Sequence, residues 1–138
     1  MSATILLVED EAAVREVTRE ALEMGGYRVL AADGPVAATH IAADEANAID
    51  LLLTDVVMPG TNGVELARRI RQLRPGLATL FMTGYAESEV LRDGKWGTHQ
   101  KHIKKPFTVH SLLASVADAL AARWNGSDKN RVPHYPSP

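Results

Sequence analysis

Asp55 lies inside LLLTDVVMPGTNG at residues 51–63, where the apolar run Leu51-Leu52-Leu53 stops just short of the acid. A continuous run of that kind suits a strand covered on both faces, so a charge stands at the strand's tip. Glu9 and Asp10 follow a second such run, Thr4-Ile5-Leu6-Leu7-Val8. Thr83 closes a third, and Lys105 follows a short fourth. Carboxylates gathered at one spot repel one another by about 4 kcal/mol per pair at ~4 Å and an effective dielectric near 20. A hard, oxygen-seeking dication offsets this, and Mg2+ held by carboxylates, water and phosphate oxygens is the usual solution. Asp55, on the middle strand, is the candidate nucleophile or phosphate carrier, with Glu9 and Asp10 holding the metal. Carboxylates do accept phosphoryl groups, as aspartyl phosphates. Lys105 then supplies a second cation to the phosphate and Thr83 a hydroxyl donor. Gly84 leaves room for the group to approach.

Positioning these residues requires alternating strands and helices. After the first strand, Val14, Val17, Ala21 and Leu22 recur at helical spacing up to Gly25-Gly26. Residues 27–32 read as a strand, and Asp33-Gly34-Pro35 starts an alanine-rich helix reaching about Ala46. Turn signals at Met58-Pro59-Gly60 and Asn62-Gly63 follow the central strand. They lead into a helix with Val64, Ala67, Ile70 and Leu73 on one face and Arg68, Arg69, Arg71 and Arg74 off it. Residues 77–82 form the fourth strand and 99–104 the fifth. Between them, Gly94 and Gly97 interrupt residues 85–100, which read as a helical turn or two and then a mobile loop. The last helix places Val109, Leu112, Leu113, Val116, Ala117, Leu120, Ala121 and Trp124 on one stripe. Thr108 caps it, and Phe107 serves as a staple onto Leu112. The expected organisation is one domain over residues 1–124 and a disordered polar tail over 125–138. Five strands alternating with helices define an α/β fold, a doubly wound, flavodoxin-like parallel sheet of order 2-1-3-4-5.

Composition narrows the alternatives. A 138-residue chain with 46% hydrophobic and 23% charged residues buries a core without staples, and the absence of Cys excludes disulfide and thiolate chemistry. A net charge of -2 argues against direct nucleic-acid binding. No stretch approaches the ~20 apolar residues that span a bilayer, so membrane insertion is not expected and the cytoplasm is the expected compartment.

The motifs VEDE (8–11), TDVVMPGTNG (54–63), MTGYAE (82–87) and KKPF (104–107) occur in order at strand ends. In these the chain resembles the receiver domains of two-component response regulators over residues 4–124. FMTGY is similar to a subset of single-domain and hybrid-kinase receivers. The resemblance implies that Asp55 is phosphorylated by a sensor histidine kinase or phosphotransfer protein. It implies that Glu9, Asp10, Asp55 and the Val57 backbone carbonyl ligate Mg2+, that Thr83 and Lys105 contact the phosphate, and that the Lys105–Pro106 bond is cis. The expected product is a signalling receiver, a monomer or weak dimer acting on a downstream protein, rather than an enzyme. It stands alone or is excised from a hybrid kinase, because the tail beyond Trp124 is too short for an output domain.

Departures from the family pattern refine this. His102 stands where the family has a Tyr or Phe that swings as Thr83 moves onto the phosphate, which makes it a candidate switch residue. Glu9 replaces an Asp, and the segment after Tyr85 is broken by glycine. Val57 and Tyr85 flank the path of an attacking water and orient it poorly, so the phosphoryl group should persist. Three other readings compete. A Mg-dependent phosphohydrolase would need a second acid where Val57 stands. A flavin mononucleotide carrier would need a Ser/Thr/Gly-rich loop where Val8-Glu9-Asp10-Glu11 stands. A phosphorylation-independent protein-binding receiver is the third.

Overall fold

The computed structural model describes residues 2–84 and 101–131, with residues 123–131 described for their backbone alone. Three apolar segments make the centre of a parallel sheet: β1 (Thr4–Val8), β3 (Leu51–Asp55) and β6 (Ala78–Thr83), every residue of which is buried. Unbroken burial is what strands covered on both faces require, and it explains why their sequences run apolar rather than alternate. β2 (Arg28–Ala32) and β7 (His102–Lys104) are the edges, each with only one fully buried residue. The order is β2-β1-β3-β6-β7, all pairs parallel, which is the expected 2-1-3-4-5 once a small inserted hairpin is counted. That hairpin, β4 (Val57–Met58) and β5 (Thr61–Asn62), turns at Pro59-Gly60. Gly60 adopts φ 83°, the positive value a Pro-Gly turn asks of its third residue.

Side-chain alternation divides the strands between two cores. Leu6, Val8, Leu52 and Phe81 face α2 (Pro35–Ala43) and α3 (Gly63–Leu73). Ile5, Leu7, Leu51, Leu53, Leu80 and Met82 face α1 (Ala12–Met24) and α4 (Val109–Arg131). Thr108 caps α4, its hydroxyl accepting the Ser111 N–H at 3.0 Å. Phe107 packs against the cluster that contains Leu112.

Several expectations need correction. On α1, Val17 is 66% exposed, and Thr18 is buried instead, because its hydroxyl is satisfied by the Val14 carbonyl at 2.7 Å. On α4 the buried positions are Leu112, Val116 and Ala119, whereas Ala117 and Ala121 face solvent. Helix α2 ends at Ala43, short of Ala46. Asp44 there accepts the Ala46 N–H at 3.0 Å, and the Asn47 amide donates to the Ile41 carbonyl at 3.0 Å, so local side chains replace the next helical turn. Arg74 is not a free surface cation. Its guanidinium donates to the Ala42 and Asp44 carbonyls at 3.0 and 2.9 Å and ties the end of α2 to α3. Helix α4 continues past Trp124 to Arg131, through the part of the chain read as the start of a polar tail. Adding a residue to an existing helix costs far less than starting one, and no proline intervenes before Pro133. The segment 85–100, including His99 of the expected fifth strand, lies outside the described residues.

Leu52 is fully buried on the central strand, whereas Val36 of α2 is 75% exposed. Leu52→Ala is expected to lower unfolding stability by about 3 kcal/mol. Val36→Ala should stay within about 0.5 kcal/mol. Urea denaturation of both variants checks the contrast.

Candidate functional site

The carboxyl ends of the sheet strands bring the acids together. Glu9 and Asp10 follow β1, Asp55 ends β3, and the two strands are neighbours in register, Val8 opposite Thr54. One carboxylate oxygen from each of Glu9, Asp10 and Asp55 lies within 4.8 Å of the others. Asp55 and Glu9 are buried, at 5% and 1% exposure, while Asp10 is exposed. Lys105, just after β7, extends its ammonium between the buried pair: Nζ is 2.7 Å from Asp55 Oδ1 and 2.8 Å from Glu9 Oε2. The Lys105 N–H donates to the Thr83 carbonyl at 2.7 Å, which carries the β6–β7 ladder one step past the strand and fixes where this side chain begins. The Lys105–Pro106 peptide that follows is cis.

Two carboxylates and one ammonium leave a net negative charge in a buried place, and the protonation states respond. Burial is the largest influence on Asp55 and, with the hydrogen bond to Glu9 beside it, outweighs Lys105 and raises the Asp55 carboxyl to about 8. Burial also pushes Glu9 upward, but the hydrogen bonds with Asp55 and Lys105 and from the Glu11 N–H bring it below the ordinary value. Burial works against the Lys105 ammonium, yet its two carboxylate partners raise it overall. The pair thus shares one proton through neutral pH. Three carboxylates at this spacing, with no nitrogen or sulfur ligand, form a donor set suited to a hard dication.

The turn after Asp55 is held by close backbone packing. The Gly63 N–H donates to the Val56 carbonyl at 2.6 Å, and a Cβ at Gly63 would lie 2.0 Å from the Asp55 carbonyl oxygen. Only glycine allows that approach. Asn62 caps α3 by accepting the Glu65 N–H at 2.8 Å, so the chain leaves the site at a fixed angle.

The remaining expected residues take varied places. Thr83 is buried at the end of β6, its hydroxyl donating to the Ile103 carbonyl at 3.4 Å rather than to the acids. Val57 opens the hairpin two residues past Asp55 and is 60% exposed. His102 pairs with Phe81 in the β6–β7 register and is half-buried. Tyr85 lies outside the described residues. Sequence reasoning misses Gly63, which it reads as part of a turn signal, and Arg15, which falls between the apolar positions of the first helix. The Asn-Gly pair before a helix was the available signal for the first, and none existed for the second.

A parallel five-stranded sheet with an acid cluster and a lysine at the carboxyl ends of its strands defines a doubly wound α/β module with its chemistry at that edge. The model of the response regulator receiver domain matches residues 5–117. The chain is 38% identical to sensor kinase CckA of Brucella abortus over 123 residues, covering 86% of this chain and 13% of the kinase. It is 36% identical to the response regulator receiver protein CpdR of Brucella abortus over 118 residues, covering 86% of this chain and 97% of that protein. The crystal structure of a receiver domain protein from Clostridium thermocellum superposes with a TM-score of 0.77 at 27% identity, covering 89% of this chain and 98% of that one. The chain belongs to the response regulator receiver domain family. It is a phosphorylation-controlled signalling module of the two-component type. Among the described residues no helix is long and apolar enough to cross a membrane.

The raised Asp55 carboxyl has a pH signature. Between its ordinary value, 3.8, and about 8 the folded protein holds a proton that the unfolded chain has lost, so folding stability falls as pH rises through that window. Asp55→Asn removes this dependence and leaves one lysine facing one glutamate. In metal-free buffer the variant should gain on wild type as pH rises from 5 to 8.5, by at least ~4 °C in thermal midpoint at the upper end. Parallel melting curves for the two proteins would contradict this.

Proposed function

We propose that Asp55 accepts a phosphoryl group from a histidine of a sensor kinase or phosphotransfer protein. The carrying observation is the Lys105 ammonium seated 2.7 and 2.8 Å from two buried carboxylates beside a third acid. Asp55 gives up its proton, a carboxylate oxygen attacks phosphorus, the phosphorus–nitrogen bond breaks, and the imidazole departs, taking up a proton. Glu9, Asp10, Asp55 and the Val57 backbone carbonyl would hold Mg2+, which would supply charge neutralisation at the phosphoryl oxygens. Lys105 is already within contact distance of the accepting carboxylate and pairs with the incoming phosphoryl oxygens. Thr83, tied through its carbonyl to Lys105, turns its hydroxyl from Ile103 toward the same oxygens, and His102 follows on the neighbouring strand. The changed surface of β6, β7 and α4 is what a downstream protein reads. Val57 offers no general acid or base to a hydrolytic water, which favours a slowly lost phosphoryl group over a phosphohydrolase. The chain acts in the cytoplasm as a monomer or weak dimer, with slow autodephosphorylation.

An apolar groove of about 550 Å3 adjoins the site, lined by Ala13, Val14 and Val17 of α1 with Pro106 and Phe107, and it shares Lys105 with the acid cluster. A histidine-bearing helix of the phosphodonor, laid in this groove, would reach Asp55 from the side where Lys105 stands.

Incubation with a small phosphodonor and Mg2+ should add the mass of one phosphoryl group to wild type and none to Asp55→Asn. Equal labelling of both proteins would remove Asp55 as the acceptor. Val17→Glu should slow transfer from a phosphohistidine protein about tenfold, the equivalent of roughly 1.4 kcal/mol, with labelling by the small donor unchanged. An unaltered protein-to-protein rate would exclude the groove as the docking site.

A further inference from the structure

Every polar group of Glu9 has a partner, and several of these partners come from outside the acid cluster. Its N–H donates to the Ala32 carbonyl at 3.1 Å, extending the β1–β2 ladder past Val8. Its Oε1 accepts the Glu11 N–H at 3.2 Å, and its Oε2 faces Lys105 at 2.8 Å. The remaining polar atom, the backbone carbonyl, accepts a hydrogen bond of 2.8 Å from the Arg15 guanidinium. Arg15 lies in the first turn and a half of α1, is half-buried, and donates its own N–H to the Glu11 carbonyl at 2.9 Å.

We infer that Arg15 is a positioning residue for the acid cluster. The inference rests on the metal reading above. The carbonyl it holds belongs to the peptide that joins Glu9 to Asp10, so fixing that carbonyl fixes the plane from which the Asp10 main chain continues. Asp10 is exposed, and α1 has no side-chain cap at Glu11, so the turn between β1 and α1 lacks the device that usually closes a helix start. Arg15 closes it from the far side, reaching back six residues with a charged donor. Charged donors make the stronger hydrogen bonds to carbonyls. Groups that orient metal ligands without touching the metal typically govern affinity by ~10–100-fold. A single N–H is used, so a lysine ammonium can replace it, whereas a methionine of similar length cannot.

The test is Mg2+ titration by calorimetry of folded wild type, Arg15→Met and Arg15→Lys, with the Asp10 amide resonance of the metal-free proteins followed by NMR. Arg15→Met should bind Mg2+ about tenfold more weakly and shift the Asp10 amide, and Arg15→Lys should restore both toward wild type. Arg15→Met binding within twofold of wild type would overturn the inference while leaving the metal site intact. A lysine variant as weak as the methionine one would also overturn it, because the retained donor would then be irrelevant. Wild-type protein that binds no Mg2+ would instead contradict the metal reading from which the inference starts.

Discussion

Two buried carboxylates from different strands share one ammonium, and much of the molecule exists to make that contact possible. Asp55 and Glu9 without Lys105 would face one another across a few ångströms of poorly solvated space, a repulsion of about 4 kcal/mol at ~4 Å. Burial first, and then the hydrogen bond to Glu9, raise Asp55 to about 8, and its protonation answers part of this. The lysine answers the rest, and it does so from a third strand. Glu9, Asp55 and Lys105 are far apart in sequence and meet only because β1, β3, β6 and β7 lie side by side and parallel, with their carboxyl ends together. An open parallel sheet whose order reverses beside its first strand supplies such a meeting point.

The backbone near the site is correspondingly inflexible. Lys105 starts from a peptide hydrogen-bonded to Thr83, and Glu9 from one bonded to Ala32. Asp55 is followed by a turn so tight that Gly63 lies against its carbonyl oxygen. Each of the charged side chains thus leaves from main chain that the sheet or a turn already fixes. That arrangement fits a group whose charge state must change without the surrounding fold yielding. The apolar groove beside Lys105 follows from the same geometry, because Val17 is spared from the core by Thr18 and left facing outward.

The parts of this arrangement that were readable in the sequence are those set by local pattern. Leu51-Leu52-Leu53 before an acid announces a doubly covered strand end, and the same pattern at residues 4–8 announces its neighbour. Five such segments alternating with helical periodicities lead to the sheet order. Elements that depend on contacts between segments were out of reach. The two-residue strands β4 and β5 are too short for any period to register. The bond from Arg15 to the Glu9 carbonyl, and that from Arg74 to the end of α2, look in sequence like ordinary charges on a helix surface. Val17 fits the apolar period of α1 but lies on the margin of the buried face, a distinction that periodicity at this resolution does not make. The apolar stripe of α4 ends at Trp124, whereas a helix stops where its backbone is interrupted, not where its stripe ends.

Lys105 lowers the Asp55 carboxyl against the burial and the Glu9 hydrogen bond that together still hold it well above its ordinary value. A carboxyl-carbon NMR titration of Asp55 in metal-free protein tests it most directly, comparing wild type with Lys105→Met. The predicted midpoint is about 8 in wild type and higher in the variant, since burial and Glu9 then act unopposed. A wild-type midpoint near 3.8, or one that does not rise when the lysine is removed, would contradict the claim.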